Sequence, residues 1–109
     1  MLPKNQRIPR ELFGNLKKAN ILSYNDLLLI RGVSQPSGPS RFCVSVSKKV
    51  AKKAVLRNKL RRKGYKSIKS LYLSIQKPVL AQISFKKAEL NDKVINESIK
   101  SLFQKTKII

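Results

Sequence analysis

Histidine and tryptophan are absent from this 109-residue chain, cysteine occurs once, and only five residues are acidic. Each scarcity closes a class of function. Without histidine, and with the acids scattered at Glu11, Asp26, Glu89, Asp92 and Glu97, there is no general-base pair or metal cluster to argue from. The single cysteine, Cys43, rules out an intramolecular disulfide and a multi-cysteine zinc site. It reads as sheet surface or packing rather than as a nucleophile. The longest apolar run is only a few residues, too short for a membrane span. The opening Met1-Leu2-Pro3-Lys4-Asn5 lacks the apolar core of a signal peptide. The expectation is a soluble cytoplasmic protein without a membrane partner, with no catalytic side chain and no metal or cofactor bound by the protein itself.

What the chain has instead is positive charge: 25 lysines and arginines give a net charge of +20. Like charges repel as a chain collapses, so this excess implies a polyanionic partner. Sixteen of the 25 lie between Leu27 and Ala88, an interval without one acid. The charge therefore belongs to the middle of the fold rather than to a tail. At this length, with 41% apolar residues in periodic segments, residues 1–109 make a single domain with one modest core.

Residues 1–10 are basic, carry Pro3 and Pro9, and read as an extended arm. Leu12, Phe13 and Leu16 then suit a short helix over about 10–19, with Pro9 and Glu11 placed for its N-terminus. The run Leu27 to Ile30 reads as a buried strand, with room for a further short strand around Ile21–Tyr24. Gly32 to Ser40, rich in Gly, Pro and Ser, reads as a loop. Arg41 to Ser47 alternates, Phe42, Val44 and Val46 against Cys43, Ser45 and Ser47, and is expected to pair antiparallel with the Leu27 strand.

From about Val50 the period becomes helical. Leu56, Leu60, Gly64, Ile68 and Leu71 form an apolar stripe, with Arg57, Asn58, Arg61, Arg62 and Tyr65 on its flank or turned away. Gly64 weakens this helix by about 1 kcal/mol relative to alanine, which leaves room for a bend or break there. Val79 to Phe85 alternates again as a strand. Asn91 is a candidate N-cap for a last helix with Val94, Ile95, Ile99, Leu102 and Phe103 on its apolar face, ending near Lys105. Three helices on a small sheet make an α+β two-layer sandwich.

Between Lys48 and Lys69 lie eleven basic residues and no acid. A merely solvated helix face usually mixes signs, because i,i+4 acid–base pairs offset repulsion. Here only an external polyanion can do so, and nucleic acid is the economical choice. Asn58 adds a donor and an acceptor suited to a base edge or a 2′-hydroxyl. Ser45 and Ser47 are candidates for phosphate contact or for plain sheet surface.

The run from Ser45-Val46-Ser47-Lys48-Lys49 through Arg57-Asn58-Lys59-Leu60-Arg61-Arg62 resembles the signature of the bacterial ribonuclease P protein component. Leu12-Phe13, the strand at Leu27, the strand Val79–Ser84 and the closing Leu102-Phe103 follow in that family's order. The resemblance implies an RNA-binding subunit of an endoribonuclease that removes the 5′ leader of precursor tRNA, one protein joined to one catalytic RNA. The RNA would carry the chemistry and hold the magnesium. It also implies an α/β sandwich with a left-handed βαβ crossover, an uncommon hand. Carried over by position, Ser47, Lys48, Lys49, Lys52, Lys53, Arg57, Asn58, Lys59, Arg61 and Arg62 would face the RNA. Phe13, Lys17 and Arg31 would line the leader cleft. Lys59 stands where the family usually has arginine, which keeps charge but loses a planar donor. Lys17 and Arg31 stand where aromatics are common, so the cleft would rely on charge more than on stacking. A small ribosomal-type RNA-binding protein shares the charge and size and is the alternative.

Overall fold

Four strands share one sheet in a computed structural model that describes residues 6–8, 14, 20–35, 38–76 and 78–109. They are β1 (Ile21–Tyr24), β2 (Leu28–Ser34), β3 (Arg41–Ser45) and β4 (Val79–Phe85), in the spatial order β1-β2-β4-β3. β1 pairs antiparallel with β2 and β2 with β4, whereas β3 runs parallel to β4. Two helices, α1 (Ala54–Leu71) and α2 (Asp92–Lys105), connect and close the fold. The helix expected over about 10–19, with Phe13 and Lys17, lies outside the described residues. Among the described residues no helix is long and apolar enough to cross a membrane.

Alternation decides which face is buried. Leu28 and Ile30 of β2, Phe42 and Val44 of β3, and Val79, Ala81, Ile83 and Phe85 of β4 point to one side and are buried. Burying them removes most of their apolar surface from water, worth about 25 cal/mol per Å². Leu60 and Ile68 of α1 and Ile95, Ile99, Leu102 and Phe103 of α2 complete this core, again buried. Phe42 stacks on Phe103 with ring centroids 5.5 Å apart and meets Tyr72 edge-on at 6.2 Å. Asn91 caps α2 as expected, its Oδ1 accepting from the N–H groups of Lys93 and Val94. Val94 itself is 39% exposed and belongs to the edge of the apolar face rather than to the core.

Three expectations are corrected. β3 does not pair with β2, because β4 lies between them. The two remain opposite in direction, but Gln35 and Ser40 both bond at the start of β4. Gln35 N–H donates to Pro78 O at 3.0 Å. Val79 N–H donates to Ser40 Oγ at 3.1 Å, and the Tyr72 hydroxyl to Ser40 O at 2.6 Å.

β2 also continues through Gly32 to Ser34. Gly32 is where the strands close up: a Cβ there would lie 2.9 Å from Leu80 O. A residue without a side chain therefore extends the strand instead of ending it.

Finally, α1 starts at Ala54, not Val50, and runs unbroken through Gly64. The N–H groups of Val50 and Ala51 both donate to Ser47 O at 3.1 Å, which makes 47–51 a turn. Gly64 is buried because it lets the helix descend onto β3, where a Cβ would come 2.9 Å from Val44 Cγ1.

Candidate RNA interface

Basic side chains gather where β3 gives way to α1. Ser47, Lys48 and Lys49 are exposed on the turn, Ala51 is buried beneath it, and Lys52 and Lys53 are exposed before the helix. The first turn of α1 has no acidic residue, and Lys53 supplies no side-chain cap. The partial positive charge of the helix N-terminus thus adds to the lysines around it.

Arg57 is half-buried and reaches back. Its Nη1 donates to Ala51 O at 3.0 Å and to Lys52 O at 2.7 Å. The sequence placed Arg57 only as an RNA contact. It also clamps the basic turn to the helix through two hydrogen bonds from one guanidinium nitrogen. Asn58 and Arg61 lie one turn apart, and Arg61 Nη2 donates to Asn58 Oδ1. That bond engages the amide oxygen and leaves the NH₂ of the exposed Asn58 as a donor. Val55, Asn58, Arg61 and Arg62 line a shallow depression beside it, with Lys59 and Arg62 exposed. Lys63 stands apart, its Nζ 2.8 Å from Asp92 Oδ1 across the α1–α2 seam.

Tyr65 was expected on the flank of α1 or turned away from its stripe. It is buried, one residue past Gly64 and turned toward the edge of β3. Its hydroxyl accepts from Val44 N–H at 3.2 Å and so satisfies the outer edge of that strand. Ile8 N–H donates to Phe42 O at 3.2 Å further along the same edge. Burial raises the Tyr65 pKa above its ordinary value, against the hydrogen bond from Val44, which lowers it. Burial also pushes the Cys43 thiol up, opposed by its hydrogen bond with Tyr65 and by the charge of Arg61. The charge of Arg61 thus reaches Cys43, and the cationic helix adjoins the sheet face opposite α1 and α2.

Part of that face is covered, Leu80 of β4 being buried with Ile8, and where it is open it carries Arg31, exposed on β2 in register with Gln82 of β4 and Leu22 of β1. Cys43 of β3 is in register with the same Gln82. One row thus crosses the sheet from Cys43, beside α1, to Leu22 at the far edge. Ser45 Oγ and Ser84 Oγ are 2.8 Å apart on this face, so Ser45 is committed to a neighbouring strand. Arg31, assigned to the cleft, sits on this face, while Phe13 and Lys17 lie outside the described residues. Two residues of the face were not singled out from sequence. Arg41 donates from Nη1 to Arg7 O at 3.1 Å. Tyr24 is 65% exposed. The period-2 alternation of their strands was the signal for both.

This four-stranded α+β fold matches that of solved bacterial RNase P proteins. The RNase P protein of Staphylococcus aureus superposes with a TM-score of 0.82 at 23% identity, covering 96% of this chain and 98% of that one. The RNase P protein of Thermotoga maritima gives 0.78 at 19% identity, over 91% and 96%. The family model described as Ribonuclease P matches residues 2–107, and the chain belongs to that family. The ribonuclease P protein component of Microcystis aeruginosa is 72% identical over 25 residues, a segment spanning 23% of this chain and 21% of that protein.

Proposed function

We propose that this protein is the protein subunit of ribonuclease P, acting in the cytoplasm as one protein with one catalytic RNA. It would bind that RNA and the 5′ leader of precursor tRNA and so assist endonucleolytic removal of the leader. The observation that carries the reading is the fixed cationic junction. Arg57 holds the turn before α1 through Ala51 O and Lys52 O, and Arg61 is tied to the amide oxygen of the exposed Asn58. A polyanion meeting this surface finds its partners already ordered, which lowers the entropy lost on binding. Each phosphate neutralised there also releases condensed counterions.

In this reading the RNA performs the chemistry and holds the magnesium. Phe13 and Lys17, on a helix over about 10–19 that would be the third of the fold, would face Arg31 across the leader cleft. The β3-α1-β4 connection is taken as left-handed, as the family resemblance implies.

The test is processing of precursor tRNA by the cognate RNA at low magnesium, with and without the protein. Stimulation is the expected result. Tight RNA binding without stimulation would overturn it in favour of a structural RNA-binding protein. Replacing Arg57 and Arg61 together by alanine should weaken RNA affinity and flatten its salt dependence.

A further inference from the structure

Tyr24 and Lys86 lie at the edge of the open sheet face farthest from α1. Tyr24 ends β1, the edge strand, and is in register with Leu29 of β2, itself in register with Ser84 of β4. Leu22, two residues earlier and therefore on the same face, is 68% exposed, and Tyr24 is 65% exposed. Two large apolar side chains stand open on an edge strand beside Arg31. Lys86, just past β4, places its ammonium 4.9 Å from the centroid of the Tyr24 ring.

This arrangement is held from below. Lys86 Nζ donates to Asn25 O at 2.8 Å and Lys86 N–H to Leu27 O at 2.7 Å. Asn25 in turn accepts at Oδ1 from the N–H groups of Leu27 and Leu28, and donates from Nδ2 to Ser98 O of α2 at 3.1 Å. The β1–β2 turn is thus fastened to the helical layer, and ring and ammonium are fixed relative to each other with most of the ring open.

We propose that Tyr24 and Lys86 form a nucleotide subsite for the single-stranded leader, the ring stacking on a base and the ammonium meeting its phosphate. The chemistry is that of single-strand binders, in which aromatic faces take bases of any sequence and cations follow the backbone. Charge supports it: Arg31 stands on this face between Arg61 on one side and Lys86 on the other. Adjacent strands lie about 4.8 Å apart, so β3 and β1 are separated by about 14 Å. The subsite therefore takes a nucleotide several positions along the leader from the α1 junction. This inference rests on the reading that the chain receives the leader, and it supplies an aromatic platform where Lys17 and Arg31 provide none.

The experiment uses the protein assembled with its cognate RNA and precursor tRNAs whose leaders are trimmed stepwise from the 5′ end. Tyr24→Ala should weaken affinity for the longest leader on the order of tenfold, with the loss shrinking as the leader is trimmed past the subsite. Tyr24→Phe should restore it. Equal affinity for wild type and Tyr24→Ala at every length overturns the proposal, as does an equal loss at every length, the mark of a merely structural residue. The parent reading is scored separately, by whether the wild-type protein stimulates cleavage at low magnesium at all. The chain has no tryptophan, so Tyr24→Trp gives a lone emitter at the subsite. Its fluorescence should be quenched when leader RNA is added, and unchanged emission also overturns the proposal.

Discussion

Replacing Gly64 by alanine sets helix propensity against packing, and the structure says which wins. In an exposed helix the change would stabilise by about 1 kcal/mol, since glycine carries extra backbone entropy. At Gly64 the new Cβ would lie 2.9 Å from Val44 Cγ1, 3.2 Å from Val44 Cγ2 and 3.4 Å from Phe85 Cε1. Val44 has little room to give. It is 2% exposed, stiff at χ1 through its branched Cβ, and its strand is held by β4 on one edge and by the Tyr65 hydroxyl on the other. Overpacking of this kind costs about 1–3 kcal/mol, so Gly64→Ala should be net destabilising by about 1 kcal/mol. For a domain of this size that lowers the Tm by about 4–8 °C, read by circular dichroism during heating. In a Val44→Ala background the clashing methyls are gone, and the same glycine change should become neutral or stabilising. A Gly64→Ala protein as stable as wild type, or an equal penalty in both backgrounds, would refute the reasoning.

Tyr65→Phe leaves Val44 N–H without its acceptor at a buried strand edge and should cost about 1–3 kcal/mol in urea unfolding. Asn91→Ala removes the acceptor for two N–H groups of α2 and should cost about 1 kcal/mol by the same measurement. The hydrogen bond from Lys63 holds the Asp92 carboxyl below its ordinary pKa. Its contribution is present above the unfolded pKa and lost as pH falls through the folded one. Lys63→Met should therefore be less stable than wild type at neutral pH and lose that deficit in strong acid, as thermal melts across pH would show. At +20 the folded chain repels itself, so sulfate should raise the Tm more than chloride at matched ionic strength.

Element identity was legible wherever one face of a segment is buried. The alternation of Phe42, Val44 and Val46, or of Val79 through Phe85, has a single solution against a hydrophobic layer. The Leu60–Gly64–Ile68 stripe was legible for the same reason. What alternation does not carry is the order of strands. β3 has the same buried face whether its neighbour is β2 or β4, and the choice depends on Ser40 and Tyr72 pinning the crossing loop, contacts far apart in sequence. Gly32 was misread as the start of a loop, and Gly64, rightly placed on the stripe, was left room for a bend that the helix does not make. Composition marks glycine as a breaker, yet both sit where two backbones or a helix and a strand approach too closely for a Cβ. In the candidate site, the basic junction stood out because no acid interrupts it. The carbonyl partners of Arg57 were invisible, since backbone acceptors have no sequence signature.

Those carbonyl partners bear on how so cationic a surface can be ordered at all. An arginine fixed by a carboxylate is positioned and neutralised at once, so little charge is left for a ligand. Arg57 is held by Ala51 O and Lys52 O, Arg61 by the Asn58 amide oxygen, and Arg41 by Arg7 O. All of these acceptors are neutral, so each guanidinium is oriented while its full charge remains on offer. Lys63 shows the contrast: paired with Asp92, it ties α1 to α2 and lies off the junction. A lysine in place of Arg57 would keep the charge, but its Nζ lies one bond nearer the backbone than Nη1 and would fall short of the two-carbonyl clamp. The 48–53 turn would then have to be ordered when the RNA arrives, and the entropy of that ordering would come out of the affinity. The acid-free interval is thus more than an excess of one sign, for it lets position and charge be set by different groups.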